Sequence, residues 1–361
     1  MPATRPRTVL FRASATAATG GGHVVRCLAL ADELVARGWR AVFAAGPESK
    51  AIVPALAGFP LIEVDERAGV DEQVEAEHLG RRLGGPVDLA VVDHYGRGRA
   101  FETGLRAFSP CVLAIDDLLR DHDADLLLDQ NGGRSAADYA GRVPDHCRVL
   151  AGPSFALLRP AFRLANPAER TGRGTIGRIV VQMGATDATD LTGPAVAVLR
   201  AAVPGATIDI ILAAAAPHAG DLARRWADDS KVVLHLDPPD IAAIVGRADL
   251  AVGTAGIGLW ERCALGVPSL IVVAAENQRM NALHAERKGG GEIVAPDARI
   301  DADRLAGSLK ALFDDPKRLA ALAANARCMC DGLGAIRVAD ALEKLLGTEP
   351  PGNEQPVRRT G

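Results

Sequence analysis

The chain reads as an α/β protein built from two similar halves, each a parallel sheet wrapped by helices. Three observations predict this. Short β-type runs alternate with amphipathic stretches along the 361 residues, which is the rhythm of strand–helix–strand crossovers. Runs such as LAVVD and VLAI are apolar almost throughout, as strands buried on both faces must be. Length is the third: at 48% hydrophobic and 24% charged, the chain can furnish two ordinary domains with sizeable cores.

The first series of strand candidates is TVLFRA (8–13), RAVFAAG (40–46), LIEVD (61–65), DLAVVDH (88–94) and CVLAIDD (111–117), with LALADELVARG (28–38) as the first amphipathic stretch. ALLRPAFRLANPAERTGRG (156–174) is rich in Pro, Arg and Gly and weak in periodicity, which marks a linker. The second series is GRIVVQMG (177–184), TIDIILA (207–213), KVVLHLD (231–237), DLAVGTAG (249–256) and PSLIVVAA (268–275). The expected organisation is a first domain over 1–163, a linker over 164–176, a second domain over 177–346 and a polar, proline-bearing disordered tail over 347–361. In such sheets ligands gather at the carboxyl ends of the strands.

Charge narrows the choice of partner. The net charge is -4, with 41 basic and 45 acidic residues intermixed. No basic stripe is present for nucleic acid or anionic lipid, so the expected partner is a small molecule. No apolar run approaches the roughly 18 residues of a membrane span, and a cytoplasmic location is expected. Cys27, Cys111, Cys147, Cys263, Cys328 and Cys330 are scattered, unlike a disulfide framework, and read as reduced and structural. The CxC at 328–330 places its thiols on different faces of a helix, and HDAD (122–125) leads into the apolar LLLD as a strand entry. Neither is read as a metal site, and no cofactor is expected.

After the first strand comes ASATAATGGGH, a run of small residues that lets backbone approach a ligand before a helix starts at about His23. Gly20, Gly21 and Gly22 are therefore candidate binding residues. A helix N-terminus carries unpaired N–H groups and a partial positive charge, which disfavours imidazolium and keeps His23 a neutral base. On the residues alone His23 either does this or merely packs. Asp93, His94 and Tyr95 end a buried strand and emerge at a ligand edge, or else Asp93 caps a turn and Tyr95 fills a seam. In the second half, Gly256 and Gly258 allow a diphosphate to approach a helix start. Glu261 is a ribose-binding candidate or a solvated first-turn acid. Asn277 and Gln278 follow the next strand as site residues or helix caps. Gly184 and Asp187 offer further contacts at a strand end.

The string FRASATAATGGGHVVRCLALADEL resembles the opening of the bacterial nucleotide-sugar hydrolases of the pseudaminic acid pathway, whose pattern reads FRxDxSxxIGxGHxxRCLxLA. VVDHYG, IDDLLRDHDADLLLDQN, GPSFALLRPAF, QMGATD, WERCALGVPSL and AENQ follow in order, so that the resemblance runs from about Val9 to Gln278. It implies a GT-B-like fold, two Rossmann-like domains with an interdomain cleft and UDP on the second. The implied reaction is hydrolysis of UDP-2,4-diacetamido-2,4,6-trideoxy-β-L-altropyranose, with His23 activating water against the anomeric carbon. Asn277 then matches a family site asparagine that orients substrate or water, Glu261 the ribose-binding carboxylate, and Gln278 a phosphate contact. The chain departs from the pattern in four places: Ser14 stands for an aspartate, Thr19 for an apolar residue, Ala185 for a glycine, and the stretch Ile257-Gly258-Leu259 for small hydroxyl residues. These leave the exact sugar open. The competing expectation is a UDP-sugar transferase on the same scaffold, followed by a non-catalytic nucleotide-sugar binder.

Overall fold

The computed structural model describes residues 5–16, 19–66, 70–164 and 176–347. Seven parallel strands form the first sheet: β1 (Thr8–Ala13), β2 (Arg40–Ala45), β3 (Leu61–Glu63), β4 (Leu89–Asp93), β5 (Val112–Ile115), β6 (Leu126–Asp129) and β7 (Arg148–Ala151). Their spatial order is β3-β2-β1-β4-β5-β6-β7. Six more form the second: β8 (Arg178–Gln182), β9 (Thr207–Leu212), β10 (Val232–Leu236), β11 (Leu250–Thr254), β12 (Ser269–Val272) and β13 (Gly291–Ala295). Their order is β10-β9-β8-β11-β12-β13. Each sheet reverses its winding beside its own first strand, between β1 and β4 and between β8 and β11. The crevices at those two points are where such sheets take ligands.

The predicted α/β class and its two parallel sheets are present. Every residue of β4, β5, β6, β11 and β12 is buried, because helices cover both faces of each sheet. Beyond the ten runs named above and LLLD, the sheets gain β7 and β13, and both are edge strands. Of RVLA in β7 only Leu150 is buried, too few residues to stand out from a loop.

The last helix, Gly334–Leu345, follows the second sheet in sequence, and the sequence reading assigned it to the second half. Its apolar face (Ala335, Val338, Ala339, Leu342) instead joins the core beneath β1 and the helix Gly22–Ala36. The chain therefore returns to its first half before it ends. Most of the expected linker (165–175) and nearly all of the expected disordered tail (348–361) lie outside the described residues. Among those described, no helix is long and apolar enough to cross a membrane.

Candidate active site

The glycine run after β1 divides into three separate roles. Gly20 adopts φ +69°, a left-handed conformation that a side chain would strain, and it faces Thr186 of the second half. A β-carbon on Gly21 would press on Val53 at 2.8 Å, whereas one on Gly22 would meet open space. The helix begins at Gly22, and among the described residues no side chain caps it. Its first-turn N–H groups are thus left for another acceptor.

His23 sits in that first turn, 9% exposed. Its ring packs edge-on against Tyr95, with centroids 4.5 Å apart. Burial and the nearby Arg26 charge hold its pKa below the usual 6.5, against the pull of Asp93 and Asp117. No described protein atom hydrogen-bonds the ring, which leaves a neutral imidazole free to accept a proton.

One turn on, Arg26 organises the floor of the site. Its guanidinium grips Asp93 through Nε and Nη2, both at 2.6 Å, and Asp117 through Nη1 and Nη2 at 2.9 and 3.0 Å. All three groups are buried, and such charges persist inside a protein only when paired this well. Asp93 therefore points inward to Arg26, neither at an open ligand edge nor capping a turn. Arg26 and Asp117 were not singled out from the sequence. The signal existed: the acids closing VVD and IDD at buried strand ends demand a cation, and Arg26 lies three residues from His23, on the same helix face.

Tyr95 carries this network across the cleft. Its hydroxyl donates to Asp117 at 3.2 Å and accepts from Asn277 Nδ2 at 2.7 Å. Asn277 belongs to the second half, so the structure brings His23, Tyr95 and Asn277 together. A second bridge runs through Asn281, which donates to Asn131 at 2.9 Å and accepts from the Gly132 N–H at 2.8 Å. Asn131 in turn donates to Asp117 at 3.2 Å. His94 turns the other way, toward Glu66, at 3.0 Å.

On the second half, Gly256 precedes the helix Ile257–Ala264 and caps it with no side chain. A β-carbon at Gly258 would come within 2.9 Å of Gln182 Oε1, so glycine here permits close packing of helix on strand. Glu261 is buried, and that burial raises its pKa. One carboxylate oxygen accepts from Gln182 Nε2 at 2.8 Å, and the other has no described protein partner. Glu261 is thus not the solvated acid of the alternative reading. Arg262 beside it donates to Gln182, Ser269 and the Thr254 carbonyl.

Two expected contacts are engaged in the scaffold. Gln278 Oε1 accepts from the Ala255 and Ala274 N–H groups, both at 3.3 Å, and ties two strand-end loops together. Asp187, at φ +40°, accepts from the N–H groups of Leu191 and Thr192 at 2.9 Å and caps the helix Thr192–Ala202. Gly184, at φ +105°, has open space where a side chain would stand. HDAD is consumed by local pairing, His122 with Glu102 and both aspartates with Arg106. Among the described residues no group of three or more His, Cys, Asp or Glu side chains is arranged to hold a metal ion.

Comparison with known proteins agrees with this architecture. Residues 231–341 match the glycosyltransferase family 28 C-terminal domain. The chain is 24% identical, over 78% of its length and 97% of the relative's, to the UDP-2,4-diacetamido-2,4,6-trideoxy-beta-L-altropyranose hydrolase of Campylobacter jejuni. It is 31% identical, over 89% and 93% respectively, to the UDP-N-acetylglucosamine--N-acetylmuramyl-(pentapeptide) pyrophosphoryl-undecaprenol N-acetylglucosamine transferase of Acidiphilium cryptum. Among solved structures, MurG of Acinetobacter baumannii superposes with a TM-score of 0.63 at 18% identity, covering 94% of this chain and all of that one. Two parallel-sheet Rossmann-like halves facing a shared cleft, with these relatives over nearly the whole length, make the chain a member of the GT-B glycosyltransferase-like superfamily.

Proposed function

We propose that the protein is a metal-independent hydrolase of a UDP-linked diacetamido sugar, UDP-2,4-diacetamido-2,4,6-trideoxy-β-L-altropyranose or a close relative. His23 takes a proton from water as that water attacks the anomeric carbon opposite the departing UDP, and the sugar is released inverted. The observation that carries this reading is His23 itself: a buried imidazole with a lowered pKa and no described protein partner, beside a cross-cleft tyrosine. The paired carboxylates of Asp93 and Asp117 stabilise the imidazolium once the proton arrives, as a buried acid does for a general base. Asn277 orients substrate or water from the opposite wall, with Tyr95 and His94 lining the sugar side. UDP lies on the second half, its diphosphate over the helix start at Gly256–Gly258 and its ribose on the open oxygen of Glu261. Those N–H donors favour the leaving group more as its charge grows. The hydrolase of C. jejuni supports the choice of reaction.

The second reading is transfer of the sugar to an acceptor, favoured by the 31% identity to the N-acetylglucosamine transferase over 89% of the chain. Reaction in ¹⁸O-water separates the two. Hydrolysis at carbon puts label in the free sugar and none in UDP, and it needs no acceptor. Label in UDP overturns attack at the anomeric carbon, and turnover only with an added acceptor overturns the hydrolase.

A further inference from the structure

We propose that Glu66 is a sugar-reading residue of this site, its carboxylate accepting a hydrogen bond from an N–H or O–H donor of the sugar. The inference deepens the UDP-sugar reading and rests on it.

Glu66 follows β3, at the edge strand of the first sheet, yet its side chain reaches inward over the carboxyl ends of β2, β1 and β4. A β-carbon at Gly46, just past β2, would overlap its stem, so glycine there keeps the path open. At the end of β1 its Oε1 accepts from the Ser14 hydroxyl and pairs with Arg12 Nη1 at 3.0 Å. At the end of β4 its Oε2 accepts from His94 Nε2 at 3.0 Å. The proton position follows from the other ring nitrogen: His94 Nδ1 accepts the Gly96 N–H at 3.0 Å, so Nε2 carries the hydrogen.

A carboxylate offers about four acceptor positions. Ser14, Arg12 and His94 fill three, and the described residues supply no fourth. The remaining position lies on Oε2, and the side chain is 19% exposed, beside an 18% exposed His94. His94 in turn stands close enough to His23 to bear on its charge. Burial works against ionisation of Glu66, but the hydrogen bond from His94, the Arg12 charge and the Ser14 hydroxyl hold its pKa at about 2. It stays an anion, and an anionic carboxylate accepts only. The group it faces is therefore a donor, an acetamido N–H or a hydroxyl.

The test is calorimetry on the full chain carrying His23→Ala, which slows turnover by about 10²–10⁴. The titrants are UDP, UDP-2,4-diacetamido-2,4,6-trideoxy-β-L-altropyranose, and three analogues, each lacking one donor: ester oxygen for either amide N–H, or hydrogen for the 3-hydroxyl. Glu66→Gln is expected to weaken the complete UDP-sugar about 10–100-fold and to leave UDP unchanged. For one analogue, parent and Glu66→Gln bind alike. Ser14→Asp with Glu66→Gln returns a carboxylate to Arg12 while the position facing the sugar stays an uncharged amide, so melting temperature recovers and sugar affinity does not. An equal loss with all three analogues, recovery of sugar affinity in the double variant, or a parent that binds UDP-sugar no better than UDP overturns the proposal. Binding is read whether the sugar is later hydrolysed or transferred, so failure of the hydrolase reading leaves this test standing.

Discussion

The two walls of the cleft end the same kind of sheet and use it differently. On the first wall, strand ends carry charge: Arg26 between Asp93 and Asp117, and Arg12 between Glu66 and Glu75. On the second, they carry backbone and amides: the uncapped helix at Gly256, the loop tied by Gln278, and Glu261 held by Gln182. Paired charges set the pKa of a neighbour; exposed N–H groups hold an anion whose shape varies little. On the proposed reading, the base of the reaction falls to the first wall and the nucleotide to the second.

The largest expected effect breaks the first wall alone. His23→Ala lowers turnover by about 10²–10⁴, the usual worth of a general base, with the dissociation constant for UDP unchanged in calorimetry. A matching loss of UDP affinity would erase the distinction between the walls. Arg26→Met leaves two buried carboxylates without their cation and costs about 3–5 kcal/mol of stability in denaturant unfolding. It also removes a positive neighbour of His23 while Asp93 and Asp117 remain, so the His23 pKa rises. The pH profile reads that sign directly. The proposed mechanism needs neutral His23, whose pKa lies below 6.5, so kcat/KM in the parent is expected to hold near neutrality and to fall only as pH drops through that lowered value. The acid limb therefore moves to higher pH in Arg26→Met, and by less in Arg26→Lys, which keeps the positive charge but cannot bridge both carboxylates bidentately. An unmoved limb would mean that the charge network does not govern the base.

On the second wall, Glu261→Ala weakens UDP by about 1.5–3 kcal/mol for each lost bond to a charged acceptor, with the pH limb of kcat/KM left in place. A shifted limb would mean that the walls are coupled through more than ligand. The smallest effect belongs to Asp187→Ala, which removes a helix cap and costs about 0.5–2 kcal/mol of stability. UDP affinity is unchanged in that variant, and a fall in affinity would restore Asp187 to the binding surface.

The same contrast governs what could be read from residues alone. The glycine turn, the helix start at His23, the strand end at Asp93 and the helix carrying Glu261 were legible because each is a local pattern of spacing and residue type. The roles of Asp93, Asp187 and Gln278 were not, because a polar residue at a strand end looks the same whether it meets a ligand, an arginine or a backbone N–H. Glu66 was invisible for the opposite reason: it sits in an undistinguished stretch, and only the narrow passage at Gly46 brings it over three strands.

By itself, then, the sequence determined the α/β class, the duplication of a parallel sheet, most strands and the position of the candidate base, since apolar runs of strand length and glycine-to-helix junctions act over a few residues. The tertiary structure alone decided that the final helix returns to the first core, that Arg26 binds two acids 67 and 91 residues away, and that Asn277 meets Tyr95 across 182 residues. Such pairings depend on which strands the winding makes neighbours and on the penalty for burying an unpaired charge, and neither is written in any one stretch of chain.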